Sequence, residues 1–437
     1  MIVYFYLGLF RIGVRIKSLM KNNPLENARQ QLFDIAKILE LDKKTIDRLL
    51  KIENLVSGEI PVKLDNGKIK KFKAWRSQHN NAIGPYKGGI RFHEETTEEE
   101  VKALSMWMTW KTAIIGIPYG GGKGGVAVNP KTLSKSELQR LSRGYIRLIA
   151  KSIGSDKDIP APDVNTNAEI MGWMLDEYEK IIGHKDPGAL TGKPLELGGS
   201  KGRTEATGLG GSYILDSFVK KLKKQKKAVS VAIQGFGNVG SYFAKFVHES
   251  GYKVVAVSDS KNTLYNEKGL DIGKAFDYKA KNDAFKGFVG GKLLPSEAVL
   301  GLNVDILVPA ALENAINEEN VSKINAKQIL EMANGPVTPK AEEILTNKKV
   351  LIVPDVLANA GGVAVSYFEW VQNLQNYYWE KEEICAKLKK LMDSAFTSVW
   401  AEYERMSKTT KKATLRQAAY SLAVQKVVKA MQARGEL

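Results

Sequence analysis

Three lysines and one aspartate stand in surroundings that solubility alone does not explain. Lys123 is the single charged residue of "IPYGGGKGG" (117–125), among five glycines, where an open loop is expected. Lys87 lies in a second glycine-rich turn, "GPYKGG", and Asp163 lies between prolines and a polar turn in "PAPDVNT". Lys111 falls on the apolar stripe Val101, Leu104, Met108, Lys111 of a helical pattern. Ammonium groups gathered in a cleft repel one another, and burial lowers their pKa further. Such a set makes chemical sense around an anion, where two lysines bind carboxylates and a third, neutral for part of a cycle, moves protons. The other reading is three unrelated surface lysines, and spacing alone leaves both open.

A second constellation points to a nucleotide. "QGFGNVG" places Gly235, Gly237 and Gly240 in G-x-G-x-x-G spacing, after an apolar strand and at the start of a helix. Asp259 ends the next strand, placed to accept hydrogen bonds from a ribose diol. The glycines allow a tight turn and close approach of a pyrophosphate to the helix N-terminus. "GGGKGG" matches the same spacing literally at Gly120, Gly122 and Gly125, but lacks both the preceding strand and the later acid. A P-loop would need glycine at Ile117 and a hydroxyl residue at Gly124, so that reading fails as well.

The elements that must position these groups can be read from periodicity. "NPLENARQQLFDIAKIL" and "DKKTIDRLLKIE" are amphipathic helices, and "GKIKKFKAWRSQHN" is a strand that runs into a glycine turn at 83–92. "TTEEEVKALSMWMTWK" begins with a capping box of Thr97 and Glu100. From about residue 228, short apolar runs alternate with helical stretches: "AVSVAIQ", "YKVVAVSD", "VDILVPAA", "QILEMAN" and "KKVLIVPD". That texture predicts a parallel sheet with crossover helices, hence an α/β fold. The stretch 198–211 is the expected connection between domains, and 437 residues exceed one ordinary core.

Composition removes other classes. One cysteine, Cys385, excludes an internal disulfide framework, and four scattered histidines give no metal spacing, so no metal is expected. The formal charge of +17 raises nucleic acid as a partner, yet the lysines are interspersed with acids except in runs such as "KKLKKQKK" (220–227). Such a run before a strand reads as a solvated helix end, so no nucleic-acid partner is expected. Residues 1–19 are apolar and then basic, the wrong order for a signal peptide and too short for a membrane span. The chain therefore reads as cytoplasmic, without a membrane partner.

"GPYKGGIRFH", "MTWKTAIIGIPYGGGKGGV", "PAPDVNT", "GRTEATG", "QGFGNVG", "MANGPVTP" and "DVLANAGGVAVSYFEW", in this order, resemble the glutamate dehydrogenase branch of the amino-acid dehydrogenases. The resemblance runs from about residue 25 to the C-terminus. It implies an extension at 1–20, a substrate-binding and assembly domain over 21–199 joined by a C-terminal helix at about 410–437, and a Rossmann-type cofactor domain over 200–409. It implies Lys123 as the catalytic lysine with Asp163 as its proton-transfer partner. Lys111 would bind the substrate α-carboxylate, Lys87 and Ser366 the side-chain carboxylate, and Asn359 the amino-group region. Thr207, Gly235, Gly237, Asn238, Val239, Gly240, Asp259 and Asn334 would hold NAD or NADP, and Arg203 would play a supporting part. The implied partners are L-glutamate, 2-oxoglutarate and ammonia, in a homohexamer. Relatives acting on leucine, valine or phenylalanine differ at the side-chain pocket, where Lys87 and Ser366 here suit a dicarboxylate.

Overall fold

A computed structural model describes residues 23–282 and 284–437, so the expected extension at 1–20 lies outside the described residues. Helix α1 (Pro24–Ile38) starts with proline after Asn23, whose side chain accepts from Leu25 N, and α2 (Lys43–Leu50) is capped by Asp42. Five strands follow: β1 (Asn54–Lys63), β2 (Ile69–Asn80), β3 (Tyr86–His93), β4 (Gly121–Ala127) and β5 (Asp158–Pro162). They form one sheet in the order β1-β2-β4-β3-β5. Strands β1, β2 and β4 pair antiparallel, whereas β3 runs parallel to both β4 and β5.

Helix α3 (Glu98–Ile115) covers one face of this sheet, and α4 (Lys135–Ile149) with α5 (Ala168–Ile182) covers the other. The second face is sealed by Ile60, Phe72, Phe92, Leu141, Tyr145 and Met174. Two expectations change here. The turn around Lys87 becomes a strand from Tyr86 onward and the loop around Lys123 a strand from Gly121 onward, because their glycines lie where backbone and side chains from elsewhere in the molecule press on the sheet. The capping box is only half made: Thr97 Oγ1 accepts from Glu100 N, while the Glu100 carboxylate turns to Arg91.

The C-terminal half is a doubly wound sheet. It runs through α6 (Ala206–Lys221), β6 (Ser230–Gln234), α7 (Asn238–Glu249), β7 (Lys253–Ser258), β8 (Asn262–Tyr265), α8 (Ile272–Asn282), β9 (Lys292–Pro295), β10 (Ile306–Pro309), β11 (Gln328–Leu330), α9 (Pro339–Asn347) and β12 (Leu351–Val353). The order is β12-β11-β10-β6-β7-β8-β9, with β6 central and β8 and β9 added antiparallel at one edge. The chain steps from β6 outward through β7, β8 and β9, then returns to the other side of β6 for β10, β11 and β12, and this reversal opens a crevice at the carboxyl ends of the parallel strands. Residues 206–211, expected in a connection, are the first turns of α6.

The chain ends in α10 (Asp355–Ala358), α11 (Gly361–Gln375), α12 (Lys381–Ser407) and α13 (Leu415–Ala433). Helix α13 returns to the first half: Lys426 Nζ donates to Ala113 O at 2.8 Å, at the end of α3, and Arg434 Nε donates to Ala82 O at 2.7 Å. In the basic run 220–227, Lys224 pairs with Asp305 and Lys226 with Asp216. Among the described residues no helix is long and apolar enough to cross a membrane.

Candidate functional site

Lys123 sits on β4 opposite Ser77 of β2, and its ammonium donates to Asp163 Oδ2 at 2.7 Å. Asp163 follows directly on β5, and Arg91 Nε, from β3, donates to the same oxygen at 3.0 Å. Burial lowers the Lys123 pKa from its ordinary value; Asp163 opposes that shift and Arg91 adds to it. Burial would raise Asp163, but the Lys123 and Arg91 charges outweigh it and hold the carboxyl below its usual range. Lys111, on α3, is also lowered by burial, and it responds electrostatically to Asp355, Lys123 and Asp163. Its helix is buried on most sides: Leu104, Met108 and Lys111 are half-buried, whereas Ala103, Met106 and Trp110 are buried fully. Val101, at the start of that stripe, is buried as well, so the stripe leaves the core progressively and Lys111 lies at its edge.

The glycines around Lys123 have a different purpose from the one their sequence suggests. Loop flexibility is not it. A Cβ at Gly121 would overlap α3 at Ser105 O and Thr109, and one at Gly124 would overlap the Tyr145 hydroxyl. Beneath Gly122, whose added Cβ would stand 3.2 Å from each of them, Arg76 of β2 meets Asp158 of β5. That ion pair is fully buried and spans two intervening strands. Gln78 Nε2 also donates to Asp158, at 2.7 Å. Side chains on β4 would close this passage, so the glycines let α3 and Arg76 pack tightly against the strand that holds Lys123.

A second polar group forms where β3 meets α11. Lys87 is 1% exposed, and its ammonium donates to Ile159 O at 2.9 Å and to Thr191 Oγ1 at 2.8 Å. Thr191 Oγ1 shares a 2.6 Å hydrogen bond with Ser366 Oγ on α11. Burial pushes Lys87 well below its ordinary pKa, and the Arg76 and Arg203 charges push it the same way. Half-buried Arg203 keeps its Nε without a partner, close to Gly362 at the start of α11. One turn after Ser366, the buried Glu369 pairs with the buried Lys193 at 2.8 Å. The sequence reading missed Thr191, Lys193 and Glu369, as it did Arg76, Asp158 and Arg91. A signal existed for several: Glu369 follows Ser366 on an apolar helix face, as Lys111 does on α3, and Arg76 interrupts a strand.

The nucleotide-type turn joins β6 to α7. Gly235 has a φ of +99°, which favours glycine, and a Cβ at Gly240 would overlap Gly235 O. Gly237 has nothing within 4 Å of an added Cβ, and with Asn238 it is exposed at the head of α7, Val239 following half-buried. Asn238 Nδ2 donates to Thr204 O at 3.2 Å, while Thr207, half-buried at the start of α6, stands against Gly362. Asn359 and Asn334 meet directly: Asn359 Nδ2 donates to Asn334 Oδ1 at 2.9 Å, and Asn359 Oδ1 is buried without a partner. Asp259 touches none of the other candidates. Its Oδ1 accepts from Lys261 N and Asn262 N, and its Oδ2 pairs with Lys279 at 2.8 Å. Burial would raise its pKa, but these partners lower it.

The arrangement can hold a lysine that exchanges protons with a carboxylate at one place, and bind an anion at a second. A crevice beside a glycine turn can take a dinucleotide. Residues 198–435 match the Glutamate/Leucine/Phenylalanine/Valine dehydrogenase family model, and residues 53–180 match the model of the Glu/Leu/Phe/Val dehydrogenase dimerisation domain. The NAD-specific glutamate dehydrogenase of Clostridioides difficile is 47% identical over 418 residues, covering 94% of this chain and 98% of its own. The crystal structure of glutamate dehydrogenase from Peptoniphilus asaccharolyticus superposes with a TM-score of 0.85 at 42% identity, over 95% of this chain and 100% of that one. A hetero-hexameric glutamate dehydrogenase from Thermus thermophilus, in a Leu-bound form, gives 0.88 at 34% identity, over 95% and 98%.

Proposed function

The chain belongs to the Glu/Leu/Phe/Val dehydrogenase family, and on that premise we propose that it oxidises L-glutamate reversibly to 2-oxoglutarate and ammonia, with NAD or NADP as cofactor. The observation that carries the choice of glutamate is the buried chain Lys87–Thr191–Ser366. A pocket for leucine, valine or phenylalanine would present apolar groups there. A hydrocarbon placed there could take none of the further hydrogen bonds that the ammonium and hydroxyls offer, and would leave a buried charge uncompensated, which disfavours an apolar side chain strongly.

The residues present fit a dinucleotide. Gly237 leaves open space at the head of α7, the N-terminus of that helix can receive a pyrophosphate, and the Asp259 carboxylate can accept from a ribose diol. Asn238, Val239 and Thr207 would line the same crevice, with Asn334 toward the nicotinamide end and Asn359 beside it toward the substrate amino group. Bound there, the nicotinamide supplies the acceptor for the hydride of the substrate α-carbon.

The other tasks fall to this chain's own side chains. Lys111 would hold the α-carboxylate, and Lys87 with Ser366 the side-chain carboxylate, which orients the α-carbon. Neutral Lys123 would take a proton from the water that adds to the imine carbon. Asp163, ionised at neutral pH, would pass protons to and from the departing nitrogen. Its ion pair with Lys123 supports this reading, because a proton can move between them without rearrangement.

The domain limits follow the same reading: 21–199 with a helix at about 410–437 for substrate and assembly, and 200–409 for the cofactor. We propose assembly as a homohexamer and a cytoplasmic location. Initial rates with L-glutamate and L-leucine, each with NAD and with NADP, test the proposal. A preference for L-leucine would overturn it.

A further inference from the structure

Glu369 is a buried carboxylate that the proposed reaction does not use. Its partners all come from one short segment. Oε2 accepts from Gly192 N at 2.8 Å, and Oε1 accepts from Lys193 N at 3.3 Å and from Lys193 Nζ at 2.8 Å. Lys193 Nζ also donates to Leu190 O at 2.6 Å, so residues 190–193 are tied into a compact loop. Thr191 lies inside that loop, with its own N–H bound to Pro160 O. Gly192, at φ +78°, makes the turn possible, and a Cβ there would overlap Pro162.

The two ends of this arrangement belong to different halves of the molecule. Glu369 and Ser366 lie one turn apart on α11, after the second sheet, whereas 190–193 follows the first sheet. A buried ion pair adds little to stability compared with a well-packed apolar pair of similar size, so stability alone gives weak reason for Glu369 and Lys193. The geometry offers another reason. Ser366 can share a hydrogen bond with Thr191 only while the loop is held at this height on α11; Glu369 bonds it from α11, as Pro160 O bonds it from the first sheet.

We propose that Glu369 is a positioning residue for side-chain selectivity: it latches the 190–193 loop to α11, and so keeps Thr191 in the hydrogen-bond chain between Lys87 and Ser366. The inference rests on reading Lys87 and Ser366 as the subsite for the side-chain carboxylate. Glu369 touches no substrate in this scheme and acts through Thr191. It recognises nothing by itself.

The test uses the full-length enzyme with L-glutamate and L-norvaline, which carries a methyl group where glutamate carries its side-chain carboxylate. For Glu369→Gln, kcat/KM for glutamate should fall about tenfold to a hundredfold, mostly through KM, while norvaline changes by less than about twofold. In a Thr191→Val background, Glu369→Gln should then cost little more, since both changes break one path. Equal losses for both amino acids, no loss for glutamate, or full additivity with Thr191→Val would each overturn the proposal. If Glu369→Gln does not fold, Lys193→Met/Glu369→Gln, which removes both charges together, is judged by the same outcomes. A parent enzyme that does not prefer glutamate to norvaline would instead remove the subsite reading, and the latch with it.

Discussion

Lys123 Nζ and Asp163 Oδ2 stand 2.7 Å apart, and the oxygen they share with Arg91 ties three strands of the first sheet to one carboxylate. Lys123 is 6% exposed, on a strand whose neighbouring glycines let a helix and a buried arginine press close. The lysine is therefore fixed in place by packing and by its ion pair with Asp163. Lys123→Ala should lower kcat by about a thousandfold or more while cofactor and glutamate still bind. Steady-state rates with equilibrium binding of both ligands check this, and a near-normal kcat would take Lys123 out of the reaction.

The pH dependence gives a second expectation. Neutral Lys123 is the proton-accepting form, so oxidation of glutamate should rise as pH increases through the Lys123 pKa. Asp163 favours the charged ammonium and raises that pKa. Removing the carboxylate with Asp163→Asn leaves burial and Arg91 opposed only by Glu100, so the pKa falls and the rising limb moves to lower pH, on a smaller kcat. Profiles of kcat/KM against pH for the two enzymes decide the matter; a limb that moves to higher pH contradicts the arrangement.

Substrate choice should follow Lys87. Lys87→Leu removes the ammonium from the Lys87–Thr191–Ser366 chain and should reduce kcat/KM for glutamate about a hundredfold or more, with little loss for norvaline. Parallel rate measurements on the two amino acids read the ratio directly. An unchanged ratio would place the selectivity elsewhere.

Glycines in the two glycine-rich stretches should respond in opposite ways. At Gly124 a methyl group meets the Tyr145 hydroxyl, so Gly124→Ala should destabilise the fold by about 1–3 kcal/mol. At Gly237 there is open space, so Gly237→Ala should leave the melting temperature nearly unchanged and weaken dinucleotide binding. Calorimetry and cofactor titration on both variants separate the two; a stable Gly124→Ala would show that Tyr145 and its helix yield easily.

Much of the second half is legible in the amino-acid sequence alone. The runs expected as strands at 228–353 are β6, β7, β10, β11 and β12, and the glycine turn lies between β6 and α7. Parallel strands buried on both faces read as continuous apolar runs, and a turn that needs positive φ demands glycine at Gly235. These are local requirements, written in consecutive residues. The first half is less transparent, because glycine inside a strand carries the same local signal as glycine in a loop. "GPYKGG" and "GGGKGG" therefore read as turns, and from Tyr86 and from Gly121 onward they are strands.

The linear chain suffices for the class of sheet, the nucleotide turn and the unusual settings of Lys87, Lys111, Lys123 and Asp163. What those residues meet is settled by tertiary packing. Lys123 and Asp163 are brought together by the pairing of β3 with β4 and β5, and Arg76 reaches Asp158 beneath strands that separate them. Thr191 and Glu369 acquire their contacts because a loop of one half closes on a helix of the other. Such contacts join residues far apart in the chain, and each depends on two distant elements folding into register, a condition that no short stretch of sequence contains.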